Sequence, residues 1–164
     1  MYLAEQFYKK ILKQEPPYYA KYSLGLILWK PIRKYLNVVI IPNIPFNNLR
    51  VILYRLIGFK IGKGVFIGMK CYLDDVAIKK IIVEDNVTIS YGCYFASHGK
   101  GQRHTPILLK KGTYIGMRSS ILSGKNGIVI GENVIIGANS LVNKSIPKNH
   151  IAFGVPIQIK EKNV

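Results

Sequence analysis

Two histidines in one short segment are the side chains of this 164-residue chain best suited to accepting a proton. His98 and His104 both lie between Ser97 and Pro106, a stretch of glycine, basic and polar residues. Imidazole has an ordinary pKa near neutrality, so it can take a proton from a hydroxyl group at neutral pH. His98 and His104 are therefore candidates for a general base.

No carboxylate lies between Phe95 and Pro106, so an acid that orients either histidine has to come from another part of the chain or from another subunit. Asp74 and Asp75, about one repeat earlier, are candidates for this partner. Aspartates are also common turn formers, because their side chains hydrogen-bond the nearby backbone. The sequence leaves both interpretations open.

An apolar residue recurs at intervals of six between Ile61 and Ile146. The repeated positions are Ile61, Ile67, Leu73, Val83, Ile89, Phe95, Leu109, Ile115, Ile121, Ile130, Ile136 and Val142. A helix buries every third or fourth residue and a strand every second one, so this period fits neither as one continuous element. It is typical of a parallel β-helix, in which short strands and tight corners stack coil upon coil.

The predicted coils begin at residues 61, 83, 109 and 130, so each is longer than three hexads and must extrude its extra residues as a loop. The largest insertion lies between Phe95 and Leu109 and contains both His98 and His104. On a regular scaffold, irregular loops are where binding and catalytic residues concentrate.

Several stretches resemble the hexapeptide-repeat acyltransferases, and among them the sugar and capsular-polysaccharide O-acetyltransferases. These are residues 115–119 (IGMRS), 129–142 (VIGENVIIGANSLV), 144–147 (KSIP) and 154–156 (GVP). The resemblance covers roughly residues 43 to 160. It implies a mainly β fold, a left-handed parallel β-helix of about four coils with a helical N-terminal extension and a C-terminal cap. The hand comes from the resemblance alone, because parallel crossovers are generally right-handed.

The resemblance also implies a function, the transfer of an acetyl group from acetyl-CoA to a sugar hydroxyl in surface-polysaccharide biosynthesis. A histidine in this loop, ahead of a Pro-Ile step such as Pro106-Ile107, is the general base of the resembling enzymes, which selects His98. An acid at a comparable Leu-Asp corner helps to hold the acceptor sugar there, so Asp74 and Asp75 are predicted to contact the carbohydrate acceptor. His104, near the end of the same loop, is predicted to contact the acceptor too, with orientation of His98 or no role as the alternatives.

In the resembling enzymes, acetyl-CoA lies in a groove between the subunits of a homotrimer, and no metal is expected. The residues matched to this groove are Gly116, Met117, Ser119, Gly137 and Ala138, with Lys144 and Lys160 predicted to meet the CoA phosphates. Tyr114 and Arg118 depart from the usual pattern, in which a tryptophan precedes the Ile-Gly step.

Residues 1–60 are predicted to form the helical extension, residues 61–146 the β-helix, and residues 147–164 the cap and tail. Apolar residues at helical spacing predict helices over 1–14 and 23–36, and residues 49–57 are predicted to form a short basic helix. Aromatic residues and lysines are mixed in this extension, so peripheral membrane association is an alternative to packing on protein. No apolar run reaches the length of a membrane span, and no cleavable signal is evident. We therefore expect a cytoplasmic protein, at the inner face of the membrane if the helices bind lipid.

The formal net charge of +16 is spread along the chain without a continuous basic run, which argues against a nucleic-acid-binding arm. Such an excess of positive charge favours binding to polyanionic ligands and to anionic membrane surfaces. The two cysteines, Cys71 and Cys93, fall at inward positions about one coil apart. They are predicted to be small core residues, and a disulfide between them stays open.

Three alternative functions remain. An N-acetyltransferase of a nucleotide-linked amino sugar would use the same scaffold. A non-catalytic β-helix would keep the fold without the chemistry. A γ-carbonic-anhydrase-like zinc enzyme needs three histidines from coil positions, but His150 lies beyond the repeats, away from His98 and His104.

Overall fold

The computed structural model describes residues 9–13, 15, 24–98 and 104–161. The chain forms two compact units, residues 1–36 and 37–164. The predicted helix over 1–14 and the loop residues 99–103 lie largely or wholly outside the described residues. The sequence-based division at residues 60 and 146 separates types of element rather than compact units, and it stays a prediction.

Two α-helices precede the strands in the described part of the chain. Helix α1, Leu24–Tyr35, matches the helix predicted over 23–36 and is followed by a π-helical turn, Leu36–Ile40, and a 3₁₀ turn, Ile41–Asn43. Helix α2, Asn47–Leu56, begins two residues before its predicted start. No helix of the described residues is both long and apolar enough to cross a bilayer.

Short strands make up the rest of the described chain, with one 3₁₀ turn, Ile78–Lys80, between the third and the fourth. They are β1 Lys60–Ile61, β2 Phe66–Ile67, β3 Tyr72–Leu73, β4 Ile81–Val83, β5 Thr88–Ile89, β6 Tyr94–Ala96, β7 Ile107–Leu109, β8 Tyr114–Ile115, β9 Ser120–Leu122, β10 Ile128–Ile130, β11 Ile135–Ile136, β12 Leu141–Val142, β13 His150–Phe153 and β14 Gln158–Glu161.

From β1 to β12, every third strand joins the same sheet, which confirms the predicted parallel β-helix of about four coils. The sheets have the orders β1-β4-β7-β10, β2-β5-β8-β11-β13-β14 and β3-β6-β9-β12, which we call sheets A, B and C. All pairs are parallel except β13 with β14. In sheet A, residue 60 pairs with 82, 82 with 108 and 108 with 129, so the coil lengths follow the spacing predicted from the sequence.

The interior is filled by the residues of the six-residue repeat. Eleven of the twelve repeated positions are buried, and Ile61 at the first coil is half-buried. Thr113 and Ser119, four positions after Leu109 and Ile115, are also buried, and their hydroxyls bond to backbone carbonyls of the next coil. Thr113 Oγ1 donates to Gly131 O at 2.9 Å, and Ser119 Oγ donates to Gly137 O at 2.9 Å. A polar group can occupy this core because it is hydrogen-bonded there.

Helix α2 packs against the first coil, where a parallel stack would otherwise expose unpaired backbone groups. Asn47 bonds to β2 from both ends of its amide, donating to Val65 O at 3.2 Å and accepting from Ile67 N at 2.9 Å. The guanidinium of Arg50, 2% exposed, donates twice to Ile67 O, at 2.9 and 2.6 Å. The helix therefore ends the solenoid on one side. On the other, β14 reverses direction on β13 and ends the parallel stack.

Successive coils lie so close that some corner positions have no room for a side chain. A Cβ added to Gly68 would lie 2.6 Å from both the carbonyl carbon of Ser90 and the amide nitrogen of Tyr91 in the next coil. At Gly116 it would lie 2.5 Å from the amide nitrogen of Ala138. These neighbours are backbone atoms, so a substitution can be accommodated only by separating the coils.

We predict that Gly68→Ala lowers the free energy of unfolding by about 1–3 kcal/mol, the usual cost of overpacking. Chemical denaturation of the full chain measures it. Gly25→Ala is the matched control, because a Cβ at Gly25 meets nothing within 4 Å. Equal stabilities of the two variants would contradict the close stacking.

Candidate active site

A buried carboxylate, that of Asp74, receives four hydrogen bonds at the corner after β3. Asp74 is 0% exposed. Its Oδ2 accepts from the backbone N–H of Ser97 at 2.8 Å, from Ser97 Oγ at 2.9 Å and from His98 Nδ1 at 2.5 Å. Its Oδ1 accepts from the backbone N–H of Val76 at 2.9 Å. The predicted acid and the predicted base are therefore in direct contact.

The strand register between adjacent coils explains why Asp74 contacts His98. Leu73 pairs with Phe95, and both point into the core, so the residues that follow them turn the same corner in adjacent coils. Asp74 thus lies one coil below the Ser97-His98 step. Ser97 was not among the predicted site residues, although its position beside His98 offered a signal. Its backbone and hydroxyl together hold the carboxylate that contacts the imidazole.

The hydrogen bonds keep Asp74 ionised in spite of its burial. Burial alone would raise the pKa of this carboxyl, but the bonds from His98, from the backbone of Val76 and from Ser97 outweigh it and hold the pKa below its usual value. At neutral pH the group is therefore a carboxylate. A carboxylate can only accept hydrogen bonds, so His98 carries its proton on Nδ1.

The side chain of His98 is 38% exposed, whereas that of Asp74 is 0% exposed. With Nδ1 donating to the buried carboxylate, Nε2 is the ring nitrogen left to meet a ligand. The loop that follows is closed at its base, because the backbone N–H of Thr105 donates to Ser97 O at 2.9 Å and His104 forms an antiparallel bridge with His98. The structure therefore brings His104 beside His98 at the level of the backbone.

Asp75 has a different environment from Asp74. Tyr72 donates its hydroxyl to Asp75 Oδ1 at 2.9 Å, and Asp75 itself is 9% exposed. Burial and the neighbouring carboxylates of Asp75 and Asp74 raise the pKa of Tyr72, which stays a neutral hydrogen-bond donor. The role of Asp75 in holding an acceptor stays a prediction, and Tyr72 is a further site residue that the sequence did not indicate.

The glycines predicted to line the donor groove stack in adjacent coils. Ile115 pairs with Ile136, so Gly116 lies under Gly137, and their N–H groups donate to carbonyls of the coil above at 2.8 Å. Met117 and Ala138, the next residues, are exposed at the corner between sheets B and C. The two sequence motifs therefore form one continuous backbone edge.

The remaining predicted donor residues differ in their orientation. Ser119 is fully buried and donates its hydroxyl to Gly137 O, so its side chain faces the core rather than the outer groove. Lys144 and Lys160 are both exposed, and Lys160 Nζ lies 5.3 Å from the ring centre of Phe153. Contacts of all these residues with acetyl-CoA stay predictions.

His98 and the predicted donor edge lie at opposite ends of sheet C. His98 follows β6 at one end of that sheet, whereas Gly116 and Met117 precede β9 at the other end. Within one chain, the length of the sheet C strands therefore separates the imidazole from Gly116 and Met117.

Other groups in the described chain do not join this site. Cys71 and Cys93 are free, buried thiols whose Sγ atoms lie 3.0 Å from Ser90 O and 3.2 Å from Gly116 O. The Cys71 thiol and burial raise the pKa of Cys93, which makes it a poor nucleophile. His150 lies in β13 with Nδ1 2.8 Å from Lys148 O, and no cluster of three metal-binding side chains occurs among the described residues.

Comparison with known proteins gives consistent matches. Residues 58–95 and 111–144 match a family model described as the hexapeptide repeat of succinyl-transferase. The galactoside O-acetyltransferase of Escherichia coli (strain K12) is 30% identical over 115 residues, covering 62% of this chain and 55% of that protein. The chain thus spans about half the length of the curated relatives it matches.

Solved structures share the fold over most of the chain. A hexapeptide-repeat acetyltransferase from Vibrio cholerae, solved in complex with acetyl-CoA, has a TM-score of 0.70 at 20% identity and covers 95% of this chain and 97% of its own. A maltose O-acetyltransferase from Clostridium difficile 630 has a TM-score of 0.68 at 22% identity, with 87% and 90% covered. At these identities the likeness shows the fold alone. Together with the matched repeats, it makes this chain similar to the hexapeptide-repeat acetyltransferases.

Proposed function

We propose that this chain is an acetyl-CoA-dependent O-acetyltransferase that acetylates a sugar hydroxyl, with His98 as the general base. The observation that carries the proposal is the 2.5 Å contact between the ring of exposed His98 and the buried carboxylate of Asp74. An imidazole oriented by a buried carboxylate is a recurring arrangement for deprotonating an alcohol.

In the proposed mechanism each atom has a task. Asp74 accepts a hydrogen bond from Nδ1–H of His98, so Nε2 carries the free electron pair that takes the acceptor's hydroxyl proton. As that oxygen attacks the thioester carbonyl, the carbon–sulfur bond of the donor breaks, and the imidazolium can return the proton to the leaving thiolate. The negative charge of Asp74 favours the imidazolium that forms in between.

Acetyl-CoA as the donor is supported by the fold match to a protein solved with that molecule. The stacked edge of Gly116, Met117, Gly137 and Ala138 offers backbone groups to an extended ligand, and the exposed Lys144 and Lys160 would meet its phosphates.

A homotrimer would complete the site, with His98 of one subunit facing the donor edge of its neighbour. The position of His98 and Met117 at opposite ends of sheet C supports this part of the proposal, because one chain alone keeps the two separated. Outward-facing aliphatic residues also suit an interface between solenoids. In sheet A these are Ile82, Leu108 and Val129, which follow one another in register.

The acceptor is proposed to be a sugar of a surface polysaccharide or of its precursor, by analogy with relatives named for galactoside and maltose. Peripheral membrane association is a further part of the proposal. It is supported by an outward apolar stripe formed by the N-cap residue Phe46 and by Leu49, Ile52 and Leu56 of α2, which are 69, 44, 49 and 73% exposed, together with the net charge of +16.

Replacement of His98 tests the base directly. We predict that His98→Gln lowers kcat for acetyl transfer by about 10²- to 10⁴-fold, the usual contribution of a general base, while acetyl-CoA still binds. Release of free CoA thiol with a panel of sugar acceptors measures the rate. His150→Gln is the matched control, because His150 lies in the cap strand β13. Full activity of His98→Gln would place the base elsewhere, with His104 next to be tested.

Replacement of Asp74 tests the orientation of the imidazole. In Asp74→Asn, the amide can donate to Nδ1, which favours the tautomer with its proton on Nε2 and removes the basic electron pair. We predict a fall in kcat of about 10²- to 10⁴-fold with the KM for acetyl-CoA unchanged.

The double variant Asp74→Asn/His98→Gln separates this role from a structural one. If Asp74 acts through His98, the double variant loses little more activity than His98→Gln alone, because residues that act as a unit are not additive. Additive losses would show that Asp74 contributes independently. Thermal unfolding of each variant checks that the corner remains folded.

A further inference from the structure

Tyr94, four residues before His98, has one ring face against Tyr72 and lies beside Ser120 of the next coil on its other side. The two rings are stacked, with centroids 4.7 Å apart and planes at 16°. On the opposite side the coil register places Ser120 beside Tyr94, and a serine side chain is too small to cover a phenol ring. Tyr94 is accordingly 42% exposed.

The stack leans toward the corner that holds His98. The hydroxyl of Tyr72 reaches Asp75 Oδ1, three residues further along the chain and past the end of β3. The ring of Tyr94 is nearly parallel to that of Tyr72 and lies one coil above it, so it extends in the same direction, toward Ser97. The open face of Tyr94 is therefore next to the corner from which the His98 imidazole emerges.

Tyr72, which supports the ring of Tyr94, has a fixed orientation in the absence of a ligand. Tyr72 is held by its hydrogen bond to Asp75 and stays neutral, because burial and the adjacent carboxylate raise its pKa. A ring already stacked on such a support loses little conformational freedom when a ligand packs on it. Tyr94 thus offers a pre-ordered apolar surface beside a polar, basic group, the combination that binding sites for small molecules use.

We propose that Tyr94 is a specificity-determining residue that packs against the C–H face of a pyranose ring in the acceptor while His98 meets one of its hydroxyls. The face of an aromatic ring is negative and attracts the weakly positive C–H groups of a sugar ring. The proposal rests on the proposed O-acetyltransferase function for its chemistry. The donor is the less suitable occupant, because the ring leans toward the His98 corner and away from the predicted donor edge at Gly116 and Met117, which precede β9.

Binding of methyl β-D-glucopyranoside and methyl β-D-galactopyranoside to the full chain tests the proposal without turnover. We predict that Tyr94→Ser weakens binding of at least one of them about tenfold, as loss of an aromatic contact implies, and that Tyr94→Phe stays within about twofold. Phe66→Ser is the matched control, because Phe66 is 44% exposed on an outer face of sheet B. Titration calorimetry or saturation-transfer NMR measures the affinities.

Turnover then separates this proposal from the function on which it rests. We expect Tyr94→Ser to raise the KM for the pyranoside and to leave the KM for acetyl-CoA unchanged. Pyranoside binding that depends on Tyr94 but is not followed by acetyl transfer would support the role of Tyr94 in sugar binding and contradict the proposed transferase function. Three results would each overturn the role of Tyr94 in sugar binding. They are an unchanged KM for the pyranoside in Tyr94→Ser, acetyl transfer only to an open-chain alcohol such as glycerol, and no pyranoside binding by the wild type.

Discussion

The stacking of successive coils at the spacing of hydrogen-bonded strands is the constraint on which the rest of this structure depends. Each residue of a coil has a fixed partner about one strand spacing above and below it. This closeness excludes side chains at Gly68 and Gly116, whose added Cβ atoms would meet backbone of the next coil. It also lets small polar residues such as Thr113 and Ser119 bond the carbonyls of a neighbouring coil. The same register places the carboxylate of Asp74 under the Ser97-His98 step.

Much of the fold could be predicted because the stacking of coils requires a regular spacing of apolar residues in the sequence. The six-residue period records which side of each strand faces inward, and the spacing between its blocks records the coil lengths that the strand register confirms. Helix α2 was also predicted, as a short basic helix. What the sequence could not show is that Asn47 and Arg50 of this helix bond to the backbone of the first coil, because this depends on how the helix lies against β2.

The candidate site was predictable in part for the same reason. Histidine in an insertion between regular coils suggested a base, and two aspartates one coil earlier suggested its partner. The sequence did not distinguish Asp74 from Asp75. The structure separates them, since Asp74 contacts His98 while Asp75 accepts from Tyr72. Ser97 and the Tyr72–Tyr94 stack were not predicted, because their roles come from contacts between coils and not from any motif within one coil.

The repeat that builds the scaffold also separates the two halves of the proposed site. His98 is at one end of sheet C and the predicted donor edge is at the other, so the proposed chemistry depends on a second copy of the chain. A regular solenoid suits such sharing, because its outer faces are flat and repeat in register. Within one chain, the part of the site that is complete is the pair of Asp74 and His98.

The tautomer of His98 is the most direct test of this account. Nitrogen-15 NMR of the imidazole, assigned by loss of its signals in His98→Gln, reports which ring nitrogen carries the proton once the ring is neutral. The account predicts a proton on Nδ1, hydrogen-bonded to Asp74, and an unprotonated Nε2. A ring protonated on Nε2 would leave no electron pair facing the acceptor, and would contradict His98 as the general base.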